Sequence, residues 1–184
     1  NPLTSELILE TKDIEVYTIS LEHRIPTVGF LFREKEKPRK LNKQLINSLK
    51  LSFEDIHKIK QGEGYTDADG ITYSNEDLTL KPCVPATYAY CSDTAYTESL
   101  IPMIKNVRLL YHEATFMHDR VKNAREKFHS TTIDAATIAL KAKVDRLLIG
   151  HYSTCYDDLQ PLLDETRTVF SNSMLAEEGK DYYI

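Results

Sequence analysis

Several side chains that can bind metals or transfer protons lie just after short apolar runs of the sequence. Asp93, Glu113 and His151 each stand at the end of such a run, and His23 follows an earlier one. In open α/β sheets, ligands gather beyond the carboxyl ends of strands, so we expect these four side chains to converge on one site. Imidazole nitrogen and carboxylate oxygen suit zinc, and a carboxylate can bridge two metals because it has two oxygens.

The spacing by itself leaves a simpler alternative open. A histidine at a single strand end is more often a hydrogen-bonded structural residue than a metal ligand. Only the repetition of polar residues at three or four strand ends favours a metal site. His57 and His118 lie in helical, charged surroundings, where we expect ordinary surface residues.

His129 precedes a segment with the apolar spacing of a helix that buries one face. Ser130 or Thr131 can cap this helix, which leaves His129 outside its amino end. In that position the imidazole can face the metal site, or it can belong to an ordinary capping loop.

The elements that position these residues alternate between strand and helix, which predicts an α/β fold. Two strand-like runs, 14–21 and 28–32, come first. From residue 87 onward, strands are predicted near 87–91, 107–111, 146–150 and 173–176, and helices near 97–105, 119–127, 131–143 and 157–169.

Residues 34–85 interrupt this alternation and are predicted to form an insertion. The segment has short helical patterns near 41–49 and 53–60, the second opened by Ser52 with Asp55 at the capping-box spacing. It has little continuous apolar sequence of its own.

A basic run overlaps the start of this insertion, although the net charge of the chain is −5. The run at 33–43 contains six basic residues and only two acidic ones. A polyanion, if one binds, should contact this run; the alternative is a solvated basic loop. The basic residues are Arg33, Lys35, Lys37, Arg39, Lys40 and Lys43.

Composition fits one soluble globular domain, with 184 residues, 41% hydrophobic and 28% charged. No apolar run is long enough for a membrane span, and the first residues lack the zones of a signal peptide, so a cytoplasmic protein is expected.

The three cysteines, Cys83, Cys91 and Cys155, lack metal-binding spacing and are expected to be reduced, small buried side chains. The start at Asn1 suggests that something normally precedes the chain.

Several sequence strings, in the same order, resemble the motifs of the ribonuclease Z family. The strings at 112–116, 129–131 and 150–153 resemble its HEAT, HST and final histidine motifs. Those at 91–94 and 21–26 resemble its bridging-aspartate turn and the histidine motif that precedes its substrate arm. The resemblance implies the carboxy-terminal half of a metallo-β-lactamase αββα sandwich, with 34–85 as an inserted substrate-binding arm.

The resemblance also implies roles for individual residues. His23 and His151 would be zinc ligands, and Asp93 would bridge the two zinc ions of a complete active site. Glu113 would orient His129, which would protonate the leaving 3′ oxygen of the RNA.

The implied activity is an endoribonuclease that cuts precursor transfer RNA after the discriminator nucleotide. The family usually acts as a homodimer, in which the arm of one subunit holds RNA cleaved by the other. The basic run is the expected RNA contact. Alternatives are another metallo-β-lactamase-fold phosphodiesterase and a non-catalytic fragment that provides dimerisation or packing.

Three departures from the family pattern bear on these expectations. The His-x-His-x-Asp-His motif, which supplies the other zinc ligands, is nowhere in the sequence, so we expect the chain alone to be inactive. Thr154, Cys155 and Tyr156 stand where Arg-Tyr is usual, so the phosphate contact that the family's arginine implies does not carry over to this chain by resemblance. The glycine-proline signature of the bacterial arm is missing from 34–85, where basic charge can replace it.

Overall fold

The computed structural model describes residues 5–49, 51–81 and 83–184. The chain divides into two compact units. The larger consists of residues up to Glu34 together with Ala86–Ile184, and the smaller is Lys35–Pro85. Among the described residues, none of the helices has the length and apolar character needed to cross a bilayer.

The larger unit is built on a seven-stranded sheet whose second half is parallel. Its strands in chain order are β1 Leu7–Glu10, β2 Ile14–Leu21, β3 Thr27–Glu34, β6 Thr87–Cys91, β7 Leu109–Glu113, β8 Arg146–Gly150 and β9 Ser173–Leu175. They neighbour one another in this same order. β1, β2, β3 and β6 pair antiparallel, whereas β6, β7, β8 and β9 pair parallel, so their carboxyl ends share one edge.

Helices pack against the sheet and form the main hydrophobic core. The unit contains α4 Val121–Lys127, α5 Thr132–Ala142 and α6 Gln160–Arg167. Leu110, Leu147 and Ile149 are buried in one cluster with Ile138 of α5 and Leu162 of α6. The α/β prediction is therefore confirmed.

The opposite face of the sheet carries a ladder of aromatic side chains. Phe32 stacks on Tyr88 with ring centroids 5.7 Å apart, and Tyr90 stacks on Tyr111 at 4.7 Å. Because alternate side chains of a strand point to opposite faces, these rings lie away from the buried Ala89. Phe32 and Tyr90 remain 36% and 37% exposed, which is the character of a sheet face that can take a second layer.

The smaller unit contains short elements around a few buried side chains. Its elements are α1 Lys43–Ile46, α2 Phe53–Lys60, the hairpin β4 Tyr65–Thr66 with β5 Thr72–Tyr73, and α3 Asn75–Leu78. Ser52 caps α2, and a capping box with Asp55 is present, as predicted. Ile59 and Leu78 are fully buried. That this segment acts as a substrate-binding arm stays a prediction.

One predicted helix and several strand boundaries are wrong. The segment near 97–105 contains only a 3₁₀ turn, Glu98–Leu100, followed by further turns. Pro102 has no amide hydrogen with which to continue a helix, and the burial of Leu100 and Ile104 gives the segment its helical spacing. β7 runs to Glu113 rather than ending at residue 111, because Glu113 still pairs with Gly150.

The prediction for the cysteines is correct in one part and wrong in another. All three are free thiols. Only Cys91 is buried, because it lies on the core face of β6, whereas Cys83 and Cys155 are exposed outside the regular elements.

Two glycines allow close approaches within the sheet. A Cβ atom at Gly29 would lie 2.3 Å from the backbone oxygen of Tyr90, and one at Gly150 would lie 2.4 Å from the hydroxyl of Tyr111. The first neighbour is backbone held in a strand, whereas the second belongs to a half-buried side chain that can shift.

We therefore expect Gly29→Ala to lower the free energy of unfolding by about 3 kcal/mol and Gly150→Ala by about 1 kcal/mol. Urea denaturation followed by circular dichroism measures both values. An equal loss in the two variants would contradict the distinction between a rigid and a yielding neighbour.

Candidate metal centre

Four side chains meet at the shared carboxyl edge of the parallel strands. Asp93 follows β6, Glu113 ends β7, His151 follows β8, and His129 precedes α5. Each offers a ligand atom, and these atoms all lie within 4.8 Å of one another. The strand-end argument thus leads to one place in the structure, although the roles of the residues stay predictions.

The start of α5 fixes the position of His129. Thr131 is the N-cap, and its hydroxyl accepts a hydrogen bond from the amide of Asp134. Phe128 ends α4 in the left-handed region, which turns the chain so that the amide of His129 donates to the carbonyl of Ala124. His129 lies outside the helix, as predicted from the capping residues.

Glu113 is fully buried and is surrounded by hydrogen-bond donors. The backbone amides of Thr94 and Ser130 donate to its carboxylate at 2.6 and 3.0 Å. The hydroxyl of Thr115 donates at 2.6 Å, and Nδ1 of His129 lies 2.9 Å from Oε1. Glu113 therefore contacts His129, the residue that the resemblance expects it to orient.

These contacts decide the charge of the pair. Burial works to raise the pKa of Glu113, but the hydrogen bonds from His129, Thr115 and Ser130 outweigh it and lower the pKa below its usual value. The hydrogen bond to Glu113 raises the pKa of His129, and burial offsets only part of this increase. The pair consists of an ionised carboxylate and a ring whose protonated form it stabilises.

Asp93 and His151 occupy unusual backbone conformations beside this pair. Their φ angles are 60° and 59°, in the left-handed region that few side chains adopt. Nε2 of His151 lies 3.3 Å from Oδ1 of Asp93, and both side chains are partly exposed. Conformational strain of this kind persists where the surrounding structure imposes it, and it clusters at functional sites.

His23 lies next to the group, just after β2. Its ring centroid is 5.3 Å from that of His129, which in turn is 5.2 Å from that of His151. Nδ1 of His23 lies 3.0 Å from the carbonyl oxygen of Phe128. The three imidazoles thus form a row with His129 in the middle.

His112, the neighbour of Glu113 in the sequence, does not belong to the group. It is fully buried, and its Nδ1 lies 2.8 Å from the carbonyl oxygen of Glu113. Burial lowers the pKa of His112, so the ring is a neutral part of the core. The two surface predictions agree with the structure, since His57 and His118 are both exposed.

The donor types of Asp93 and His151 suit zinc, and His23 lies beside them, so its part as a ligand stays a prediction. Nδ1 of His23 and of His151 is held by a protein oxygen, which leaves Nε2 as the ligand atom, an arrangement typical of metal-binding histidines. Asp93 adds a carboxylate that can bridge. Glu113 does not fit as a ligand, because both of its oxygens already accept hydrogen bonds.

The structure divides the six predicted RNA-binding residues between the two units. Arg33 lies on β3 of the larger unit, with its guanidinium 5.3 Å from the centre of the Tyr17 ring. The other five belong to the smaller unit, which also has a cavity lined by both basic and apolar side chains. The basic residues that line it are Arg39, Lys40, Lys43 and Lys60. Lys60 lies outside the basic run, and nothing in the sequence indicates that it lines the same cavity as the residues of the run.

Cys155 has a basic neighbour from another part of the chain. Nη1 of Arg120 lies 3.4 Å from its sulfur, and the same guanidinium is 5.7 Å from the centre of the Tyr156 ring. An arginine thus lies beside the position where the sequence lacks one.

Comparison with known proteins identifies relatives of this chain by sequence, although no family model matches it. The ribonuclease Z of Parabacteroides distasonis is 43% identical over 179 residues, covering 97% of this chain and 59% of the relative. The ribonuclease Z of Porphyromonas gingivalis is 46% identical over 172 residues, covering 94% and 57%. The chain spans a little over half the length of these relatives.

Solved structures share the fold at low sequence identity. The metallo-β-lactamase fold protein YhfI from Bacillus subtilis matches with a TM-score of 0.59 at 19% identity, over 98% of this chain and 52% of that one. The short form of human tRNase Z matches with a TM-score of 0.56 at 20% identity, over 95% and 45%. The predicted fold, half of a metallo-β-lactamase sandwich, is confirmed.

Glu113→Gln should destabilise the protein. The NH₂ group of glutamine would face N–H and O–H groups that now donate hydrogen bonds to the Glu113 carboxylate, and those groups would lose their acceptor. We expect a loss of about 1–3 kcal/mol in the free energy of unfolding, measured by urea denaturation. Glu98→Gln is the matched control, since Glu98 is exposed and pairs with Lys141 at the surface. The interpretation of Glu113 fails if the two substitutions have the same effect.

Proposed function

Because this chain belongs to the ribonuclease Z family, we propose that it forms part of the active site of a zinc-dependent endoribonuclease that removes 3′ trailers from precursor transfer RNA. Cleavage takes place after the discriminator nucleotide. The complete protein works in the cytoplasm as a homodimer, in which the arm of one subunit holds RNA that the other cleaves.

The pair Glu113–His129 beside Asp93 and His151 is the observation that carries this proposal. His129 and the candidate metal ligands each offer an atom within 4.8 Å of the others, which supports a proton donor beside a metal. Phosphodiester hydrolysis needs both, because the attacking water must be activated and the leaving oxygen must be protonated. A purely structural cluster would not need a histidine held by a buried carboxylate at the edge of the group.

His129 acts on the leaving group. Its Nδ1 is held by Glu113 at 2.9 Å, so Nε2 is the atom that carries a proton to the substrate. Hydrolysis joins the oxygen of a water molecule to phosphorus, with one proton of that water passing to a base that the rest of the complete protein would supply, and breaks the bond from phosphorus to the 3′ oxygen. That oxygen takes the proton from Nε2 of His129, and Glu113 holds the ring in position throughout.

His23, Asp93 and His151 would hold the metal. When bound, two zinc ions lower the pKa of a water molecule and neutralise charge on the phosphate. The three residues do not make two complete ligand sets, and the His-x-His-x-Asp-His motif is absent from these 184 residues. The chain alone should therefore be inactive, with the remaining ligands supplied by the rest of the complete protein.

RNA binding is assigned to the basic run. Arg39, Lys40 and Lys43 line one cavity in the smaller unit, and Lys60 adds a further positive charge. The chain as a whole carries a net charge of −5, so this local concentration of positive charge attracts a polyanion where the rest repels it. Contacts to phosphates would position the RNA without reading its sequence.

Two alternatives keep the same fold. A phosphodiesterase acting on small substrates would have the same metal site and no need for the basic cavity, so RNA binding by the smaller unit separates it from the proposal. A non-catalytic packing fragment would not depend on His129.

In the complete protein, His129→Ala should lower turnover of precursor transfer RNA by about 10²–10⁴-fold, since a general acid contributes that much. Zinc content should be unchanged, because His129 is bound to Glu113 and is not a ligand. Turnover and zinc content are measured on the same preparation. Loss of zinc together with activity would make His129 a ligand or a structural residue.

Replacing Lys37, Arg39 and Lys40 together with alanine should raise KM for precursor transfer RNA. Each lost phosphate contact should reduce the logarithmic salt dependence of binding by about 0.7–0.9. Hydrolysis of a small phosphodiester should be unaffected. The control removes three positive charges from the larger unit, at Lys12, Lys105 and Lys180. If the first variant processes transfer RNA normally at moderate salt, another surface must bind it.

A further inference from the structure

Thr115 links the buried carboxylate to the predicted zinc ligand His151. Its hydroxyl oxygen lies 2.6 Å from Oε2 of Glu113 and 2.9 Å from Nδ1 of His151. Thr115 is 7% exposed, so solvent does not compete strongly for either bond. One hydroxyl group therefore contacts both a charged acceptor and a ring nitrogen.

The direction of these two bonds follows from the number of available protons. Glu113 also accepts hydrogen bonds from the backbone amides of Thr94 and Ser130. Because an amide N–H can only donate, the carboxylate acts as an acceptor. The Thr115 hydroxyl donates its single hydrogen to the Glu113 carboxylate. Toward His151, the hydroxyl oxygen can therefore only accept, and Nδ1 of His151 must carry a hydrogen.

We propose that Thr115 is a positioning residue that fixes the tautomer of His151, so that Nε2, which lies 3.3 Å from Oδ1 of Asp93, presents its lone pair to a metal held between the two side chains. Glu113 thus acts on two rings, on His129 directly and on His151 through Thr115. Which nitrogen of a histidine binds metal is set by the hydrogen bond of the other nitrogen. The assignment of zinc to His151 rests on the proposed function, but the tautomer does not.

Backbone contacts hold Thr115 in register with His151. The amide of Ala114 donates to the carbonyl of Gly150 at 2.8 Å, and the amide of Ser153 donates to the carbonyl of Thr115 at 3.0 Å. These two bonds flank the left-handed turn at His151. Because they involve only backbone atoms, replacing the side chain of Thr115 leaves them in place.

Three variants separate the hydroxyl from the shape of the side chain. Thr115→Val keeps the shape and removes the hydroxyl, whereas Thr115→Ser keeps the hydroxyl. Thr137→Val makes the same chemical change on α5, where the hydroxyl donates to the carbonyl of Ile133 and to no other described residue. The complete protein is used, stripped of metal with a chelator.

The primary measurement is the tautomer of His151, read from its ring ¹⁵N chemical shifts and assigned with His151→Gln. The parent protein should show hydrogen on Nδ1, and Thr115→Val should lose this preference. Thr115→Ser and Thr137→Val should keep it. Hydrogen on Nε2 in the parent would overturn the proposal without any variant, as would an unchanged tautomer in a folded Thr115→Val protein.

Zinc titration gives a second readout. Thr115→Val should weaken zinc binding by about 10–100-fold, and Thr115→Ser should restore it. Equal affinity in all variants would overturn the link from Thr115 to the metal. In a further outcome, the complete protein shifts its tautomer and loses zinc affinity on Thr115→Val as expected and yet cleaves no RNA. That result would support the positioning role of Thr115 and reject the proposed function.

Discussion

Burial of the Glu113 carboxylate is the constraint on which the rest of the site depends. An ionised carboxylate removed from water is stable only when hydrogen-bond donors replace its hydration. Thr94, Thr115, His129 and Ser130 supply these donors from three separate segments of the chain. Satisfying one charge therefore brings the end of β6, the end of β7 and the start of α5 together, and the imidazole of His129 is held at the same time.

The parallel part of the sheet makes this convergence possible. β6, β7 and β8 point the same way, so the residues that follow them meet at one edge. Asp93 and His151 then turn sharply into left-handed conformations, which keep their side chains at that edge instead of continuing along the strands. The strained turns cost stability, and the backbone bonds around Gly150 and Thr115 hold the second of them in place.

The two faces of the sheet have different partners. One face is covered by α5 and α6 and contains the hydrophobic core. The other carries stacked aromatic rings that remain partly exposed, including Phe32 and Tyr90. A two-sheet sandwich covers such a face with a second sheet, and the fold neighbours are proteins of that type. The metal centre lies at the edge of this sheet, where the proposed missing ligands would also have to approach.

The sequence by itself predicted most of the elements and the side chains that meet at the sheet edge, because both depend on local patterns. Apolar runs indicated the strands, and the cap at Ser52 indicated a helix. The helical pattern was misleading near Pro102, because buried residues in turns have the same spacing as one face of a helix. Asp93, Glu113, His129 and His151 were recognisable from their positions after strands or before a helix. Only the tertiary structure decided that Glu113 reaches His151 through Thr115, since residues 36 positions apart along the chain form that contact. Hydrogen-bond direction depends on the number of protons and acceptors packed around one atom, and linear spacing carries no record of that packing.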